Sequence, residues 1–252
     1  MRKGLIFGLA ALAAIATASS AARAAEEGPA LPHVEWSFDG PFGTFDRHAM
    51  QRGLQVYREV CSACHSLNYI AFRDLAALGY DEDEIKAIAA EYTVTDGPND
   101  EGEMFEREGR PSDYFPAPFP NEKAAAASNG GAAPPDLSLM AKARVGGPTY
   151  IYGLLTGYED PPAGFPGDNY NLYFPGHQIA MAPPLFEDGV SYADGTPATV
   201  EQMAKDVSHF LMWTAEPKLE DRKGMGIKVL IFLVVFTGVL YAAKRKIWAD
   251  VH

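Results

Sequence analysis

The two cysteines of this chain fall within one pentapeptide, Cys61-Ser62-Ala63-Cys64-His65. Cys-x-x-Cys-His is the attachment spacing of a c-type haem. On a helical turn, thiols three residues apart share a face, so both can reach the vinyl groups of one porphyrin. His65 can then present an imidazole nitrogen to the iron from the proximal side. A chain with this pentapeptide is expected to fold around a rigid apolar disc. Burying that disc contributes ~25 cal/mol per Å² of apolar area. With no cysteines left for disulfides, the chain without haem is expected to fold poorly. Two other uses of the pair fit less well. A thioredoxin-like dithiol follows a strand in a βαβ pattern, whereas a helical pattern precedes Cys61. Structural zinc wants four ligands, and the six histidines are scattered at 33, 48, 65, 177, 209 and 252.

The ends of the chain indicate a compartment. Arg2 and Lys3 precede an apolar run from Gly4 to Ala18, and Ala22-Arg23-Ala24 offers a small-x-small cleavage site. Residues 1–24 thus read as a secretory signal that is removed. From Met225 to Ala243 the chain is almost continuously apolar, close to the ~20 residues that span ~30 Å of hydrocarbon. Lys244, Arg245 and Lys246 follow directly, and Trp248 can sit at the interface. The positive-inside rule puts the tail, 244–252, in the cytoplasm and the body of the protein on the other side. The expected organisation is a haem-binding head, 25–224, held by a membrane anchor, 225–243. A head of that size is ample for one core.

Within the head, Met50, Leu54, Tyr57, Cys61 and Cys64 recur at helical spacing over 45–64. Thr44 is the expected N-cap, with Asp46 at the positive end of the dipole. A second helix is expected from Asp81, where Glu84 completes a capping box. A third begins at Pro148 after Gly146-Gly147 and ends at Gly157. A fourth starts at Thr199, with Gln202 as its box partner, and closes before Pro217. Strand alternation is weak throughout. Segments 111–120 and 158–195 are rich in Pro, Gly and aromatics. The fold class expected is all-α, with long loops wrapping the porphyrin; such loops call for a functional reason, and covering a haem is one.

A haem with one histidine needs a distal partner or an open site. Of the eight methionines, Met50, Met203 and Met212 fall on helices and Met104 in an acidic, solvated stretch. Met181 sits in an apolar, aperiodic loop that Pro183-Pro184 stiffens, which lowers the entropy cost of presenting a weak thioether ligand. His177, four residues earlier, is the rival. His/Met ligation raises the reduction potential relative to bis-His and closes the iron to oxygen.

The formal charge is −12, and loss of Arg2, Lys3 and Arg23 would make it −15. From Asp81 to Asp113 there are 12 acidic and three basic residues. This segment is either a solvated face or a docking field that would make encounters with a basic partner salt-sensitive. Its sign argues against a nucleic-acid partner.

With these residues assembled, the chain resembles cytochrome c1, the haem subunit of the cytochrome bc1 complex. The resemblance rests on the haem pentapeptide, Asn129-Gly130-Gly131-Ala132-Ala133-Pro134-Pro135-Asp136-Leu137-Ser138, Ala143-Arg144, and Leu154-Leu155-Thr156-Gly157-Tyr158. Ile179-Ala180-Met181-Ala182-Pro183-Pro184-Leu185 and the C-terminal anchor complete it. It implies a class I c-type cytochrome-like head with one covalent haem c. His65 and Met181 would be the axial ligands, Arg144 would lie near a propionate, and Pro135 and Tyr150 would pack around the ring. The stretch 96–113 resembles insertions of bacterial members. The implied function is relay of single electrons from the Rieske iron–sulfur protein to a soluble c-type cytochrome. That places the chain as a subunit of a proton-translocating quinol–cytochrome c reductase, beside cytochrome b in a dimeric complex. The implied location is the bacterial inner membrane, head periplasmic, with no substrate chemistry of the chain's own. Alternatives are an anchored cytochrome c feeding a terminal oxidase or reductase directly, and a haem-based sensor or ligand-binding module.

Overall fold

A computed structural model of the protein describes residues 30–250. The expected signal and the last two residues of the tail lie outside them. The first helix, α1, is Arg47–Glu59. Its N-cap is Asp46, not Thr44: Asp46 Oδ1 accepts from the His48 and Ala49 amides at 2.9 and 3.2 Å. Thr44 and Phe45 are drawn elsewhere, their amides donating to Ser37 O and Glu220 Oε1. After Glu59 the chain tightens into a 3₁₀ turn, Cys61–Ala63. A second 3₁₀ segment, Phe72–Leu78, follows.

Helix α2 is Glu82–Ala90, with the expected reciprocal box: Asp81 accepts from Glu84 N, and Glu84 accepts from Asp81 N. Two short helices that lack an extended apolar period come next, α3 (Glu122–Ser128) and α4 (Met140–Ala143). Helix α5, Pro148–Thr156, has Pro at its first position and Gly157 as C-cap, as its sequence predicts. Helix α6, Val200–Ala215, has the Thr199 cap; Gln202 turns instead to Asp206, so the box is half formed.

Two antiparallel ladders amend the all-α expectation. β1 (Thr93–Asp96) pairs with β2 (Phe105–Glu108), and β3 (Tyr158–Glu159) with β4 (Tyr170–Asn171). Neither ladder exceeds four residues a side, too short for alternation to stand out among the acidic and loop residues around it. In the first, Arg107 on β2 pairs with Asp96 on β1 and with Asp113 beyond it.

The core forms where α1 crosses α6. A Cβ on Gly53 would lie 2.1 Å from Asp206 O, so the two backbones meet there and only glycine fits. Beside it, Arg52 grips the buried Asp206 through Nε and Nη2 at 2.9 and 3.0 Å, the paired geometry that a buried carboxylate requires. Met50, Leu54, Tyr57, Met203, Val207, Phe210 and Trp213 fill the crossing, so two of the helical methionines are core residues as expected. Met104 is exposed.

Helix α7, Leu219–Ile247, starts earlier than the apolar stretch inside it. Among the described residues it is the one helix long and apolar enough to cross a membrane, and none of that apolar window is buried by the rest of the protein. A core helix would be covered.

Candidate haem site

The pentapeptide closes on one carbonyl. Cys61 O accepts from Cys64 N at 3.1 Å and from His65 N at 2.9 Å. Ser62 Oγ donates back to Arg58 O, tying the turn to the last turn of α1. Both thiols are free and partly buried, and Cys61 packs against the core. Burial, with Cys64 beside it, pushes the Cys61 thiol up to about 12, which keeps it protonated.

His65 is oriented from two sides. Its Nδ1 lies 2.8 Å from Pro135 O. The carbonyl can only accept, so Nδ1 carries the hydrogen and Nε2 keeps its lone pair, the arrangement of an oriented ligand histidine. Tyr57 Oη donates to His65 O at 3.2 Å. Burial holds the imidazole below its usual value, with Pro135 O and Asp136 pulling the other way.

Pro135 owes its place to Asp136. That carboxylate accepts from Ser66 Oγ (2.9 Å), Asn68 N (2.8 Å) and Ser138 N (2.9 Å). Leu137 N donates to Ser66 O, and the buried Ser138 hydroxyl accepts from Tyr69 N. The 134–138 segment is thus stapled onto the residues that follow His65. The sequence gives no site role to Asp136, Ser66, Ser138 or Tyr57. The available signal was Asp136-Leu137-Ser138, an Asx-turn pattern.

Met181 is partly buried in the loop beyond β4. Tyr158 Oη donates to its carbonyl at 3.0 Å, fixing the backbone while the thioether accepts no hydrogen bond among the described residues. The hub of this loop is Asn171, fully buried, whose Nδ2 donates to Leu154 O and whose Oδ1 accepts from Tyr173 N and Phe174 N. His177 is engaged differently. It sits at φ +62°, lies 3.2 Å through Nδ1 from Asn171 O, and stacks on Tyr170 at 5.2 Å and 24°.

Arg144 is exposed at the C-cap of α4. Its charge reaches Tyr150 on α5: burial raises that phenol, and the guanidinium opposes the rise. The structure therefore groups Cys61, Cys64, His65 and Pro135 in one hydrogen-bonded unit; a second group sets Arg144 near Tyr150, linked by charge alone. Met181 belongs to a third, tied to Tyr158 just beyond α5. Among the described residues no hydrogen bond joins the His65 unit to the Met181 loop.

The donor set suits a c-type haem. Two unpaired thiols and an imidazole with a free Nε2 occupy a single turn. Large apolar side chains stand exposed beside the segments concerned: Tyr69, Leu139, Val145 and Phe186. Val145, next to Arg144, is 96 % exposed. Among the described residues, no group of three or more His, Cys, Asp or Glu side chains could hold a bare metal ion.

A model of the Cytochrome C1 family matches residues 36–251. Cytochrome c1 of Rhodospirillum rubrum is 50 % identical to the chain, covering 96 % of each. "Cytochrome c1, heme protein, mitochondrial" of Saccharomyces cerevisiae is 51 % identical over 92 % of the chain and 77 % of the relative. "Cytochrome b/c1" of Bradyrhizobium diazoefficiens is 53 % identical over 92 % of the chain; the chain spans 37 % of that longer protein. Matched across nearly its whole length, the chain belongs to the Cytochrome C1 family, whose cofactor is haem c.

Proposed function

We propose that this chain is a membrane-anchored c-type cytochrome relaying single electrons from the Rieske iron–sulfur protein to a soluble c-type cytochrome, as a subunit of a quinol–cytochrome c oxidoreductase. The observation that carries the reading is the Cys61–His65 turn with its imidazole fixed by Pro135 O at 2.8 Å, in a chain of the Cytochrome C1 family. Haem c, when bound, supplies a reversible one-electron couple. The rest is the work of the chain. Cys61 and Cys64 would hold the porphyrin covalently. His65 Nε2 would bind the iron, its direction set by Pro135 O and behind it Asp136. Met181 would supply the second iron ligand, its backbone set by Tyr158. His177 is disfavoured in that role because its ring is taken up by Tyr170 and Asn171. Arg144 would pair with a propionate, and Pro135 and Tyr150 would border the ring.

Residues 25–224 form the haem-binding head. The apolar part of α7, 225–243, anchors it as a single span, with 244–252 a cytoplasmic tail and 1–24 a removed signal. Lys244, Arg245 and Lys246 in the last turn of α7 support a cytoplasmic C-terminus and a periplasmic head on the bacterial inner membrane. A relative named for both cytochrome b and c1 supports a b-type cytochrome as the neighbour in a dimeric, proton-moving assembly. Mild detergent extraction tests this. The chain is expected to co-purify with a b-type cytochrome and with quinol oxidation activity. Purification of the haem-bearing chain alone, with that activity recovered elsewhere, would point to a carrier outside such a complex.

A further inference from the structure

The start of α7 is strapped to a loop of the head. Lys223 Nζ donates to Phe38 O at 2.6 Å and to Gly43 O at 3.0 Å. Glu220 Oε1 accepts from Phe45 N at 2.8 Å, and Leu219 is buried in the core. These bonds bracket the turn Asp39-Gly40-Pro41-Phe42-Gly43 and hold it beside the helix at the level of residue 223.

That level is close to the membrane border. The apolar stretch begins at Met225, two residues further on, or ~3 Å along a helix. A headgroup layer is ~5–7 Å deep on each side of the hydrocarbon. A turn held at Lys223 therefore falls within the headgroup layer if α7 spans the bilayer.

The turn is rigid and its tip is apolar. Asp39 N donates to Trp36 O and Thr44 N to Ser37 O. A Cβ on Gly43 would meet Asp39 O at 2.0 Å, so the closure requires glycine. Phe38 and Phe45 at its base are buried against each other, rings 5.2 Å apart, whereas Phe42 at the tip is 79 % exposed. A scattered exposed aromatic needs no explanation. This one stands on a turn whose base is bound to Lys223, two residues before the apolar stretch, and aromatic side chains at the border of a membrane serve as anchors.

We propose that the 39–43 turn is a second membrane contact: Phe42 inserts into the lipid headgroup layer beside α7, and with the Lys223 and Glu220 bonds fixes the tilt of the head over the bilayer. The occupant is the lipid of the membrane that holds the anchor, because the surface is continuous with the helix entering it. This rests on α7 being a transmembrane anchor.

The test replaces Phe42 by the photo-crosslinking residue p-benzoylphenylalanine in the full-length chain, in its native membrane, with exposed Met104 replaced likewise as a control. After irradiation, mass spectrometry of the purified chain is expected to show phospholipid adducts at position 42 and not at 104. A polypeptide adduct at 42 would show that another protein covers the tip and overturn the proposal. Absence of any adduct at 42, as in water, would overturn it too. Resistance of the chain to alkaline carbonate extraction separates the premise: chain released by carbonate refutes the anchor itself, whereas retained chain without lipid adducts refutes only the role of Phe42.

Discussion

Asp136 orients His65 without a hydrogen bond to its ring. Its carboxylate gathers Ser66 Oγ, Asn68 N and Ser138 N, and the segment so fixed offers Pro135 O to His65. Hydrogen bonds to a charged acceptor contribute ~1.5–3 kcal/mol each, and a buried donor left bare costs a similar amount. Asp136→Ala is therefore expected to lower the stability of the head by about 3 kcal/mol in urea unfolding of the haem-loaded protein. It should also shift the iron–histidine stretching band in resonance Raman spectra of a ferrous form with the sixth ligand displaced. Met181 is the proposed ligand on the opposite face. A leucine there keeps the volume and loses the sulfur, so Met181→Leu should abolish the methionine–iron charge-transfer band of the oxidised protein and lower the potential sharply. An unchanged spectrum and potential would remove Met181 from the site. Spacing alone marked Cys61, Cys64 and His65, because covalent attachment demands three residue types at fixed separations. It could not mark Asp136 or Tyr158, which act through backbone groups distant in sequence.

Among the elements, the junction of the N-terminal arm, α1 and α6 is sensitive to acid. His209 lies on α6 among Trp36, Phe38 and Phe45. Its Nε2 is 3.2 Å from Asp46 N, which can only donate, so that nitrogen must be an acceptor and the ring neutral. Burial accordingly depresses the imidazole to about 4. The unfolded chain takes up this proton near pH ~6.5, so stability is full above that value and is lost as pH falls toward about 4, by up to about 3 kcal/mol. Thermal unfolding of the holoprotein is expected to show this loss, and His209→Gln should flatten it between those limits; an unaltered acid slope would contradict the assignment. Helix legibility followed the caps. Asp81/Glu84, Pro148 and Thr199 marked starts that the structure keeps. Thr44 did not, because its amide and that of Phe45 bond across the fold. The short ladders run two to four residues a side and α4 spans four, too few for a local period to record.

At the scale of the molecule, an electron carrier must hold one redox centre at a defined place between donor and acceptor. The bonds of Lys223 and Glu220 to the 38–45 loop fix the start of α7 on the head, and the acidic segment 81–113 bears on how a partner is met. There Lys86 is paired with Asp83 and Glu82, and Arg107 with Asp96 and Asp113. Exposed Glu101, Glu103, Glu106 and Glu108 have no salt-bridge partner among the described residues, which leaves a field suited to a basic acceptor. Composition made the charge visible; its placement relative to the porphyrin edge depends on how the hairpin packs, which composition does not encode. The central claim is the relay itself, and stopped-flow spectroscopy of the detergent-purified membrane complex tests it most directly. On mixing with quinol, the c-type absorbance is expected to show reduction within a turnover, and soluble c-type cytochrome should then reoxidise it at a rate that falls as salt is raised. A c-type centre that stays oxidised in the presence of quinol, while the complex still turns over, would contradict the account.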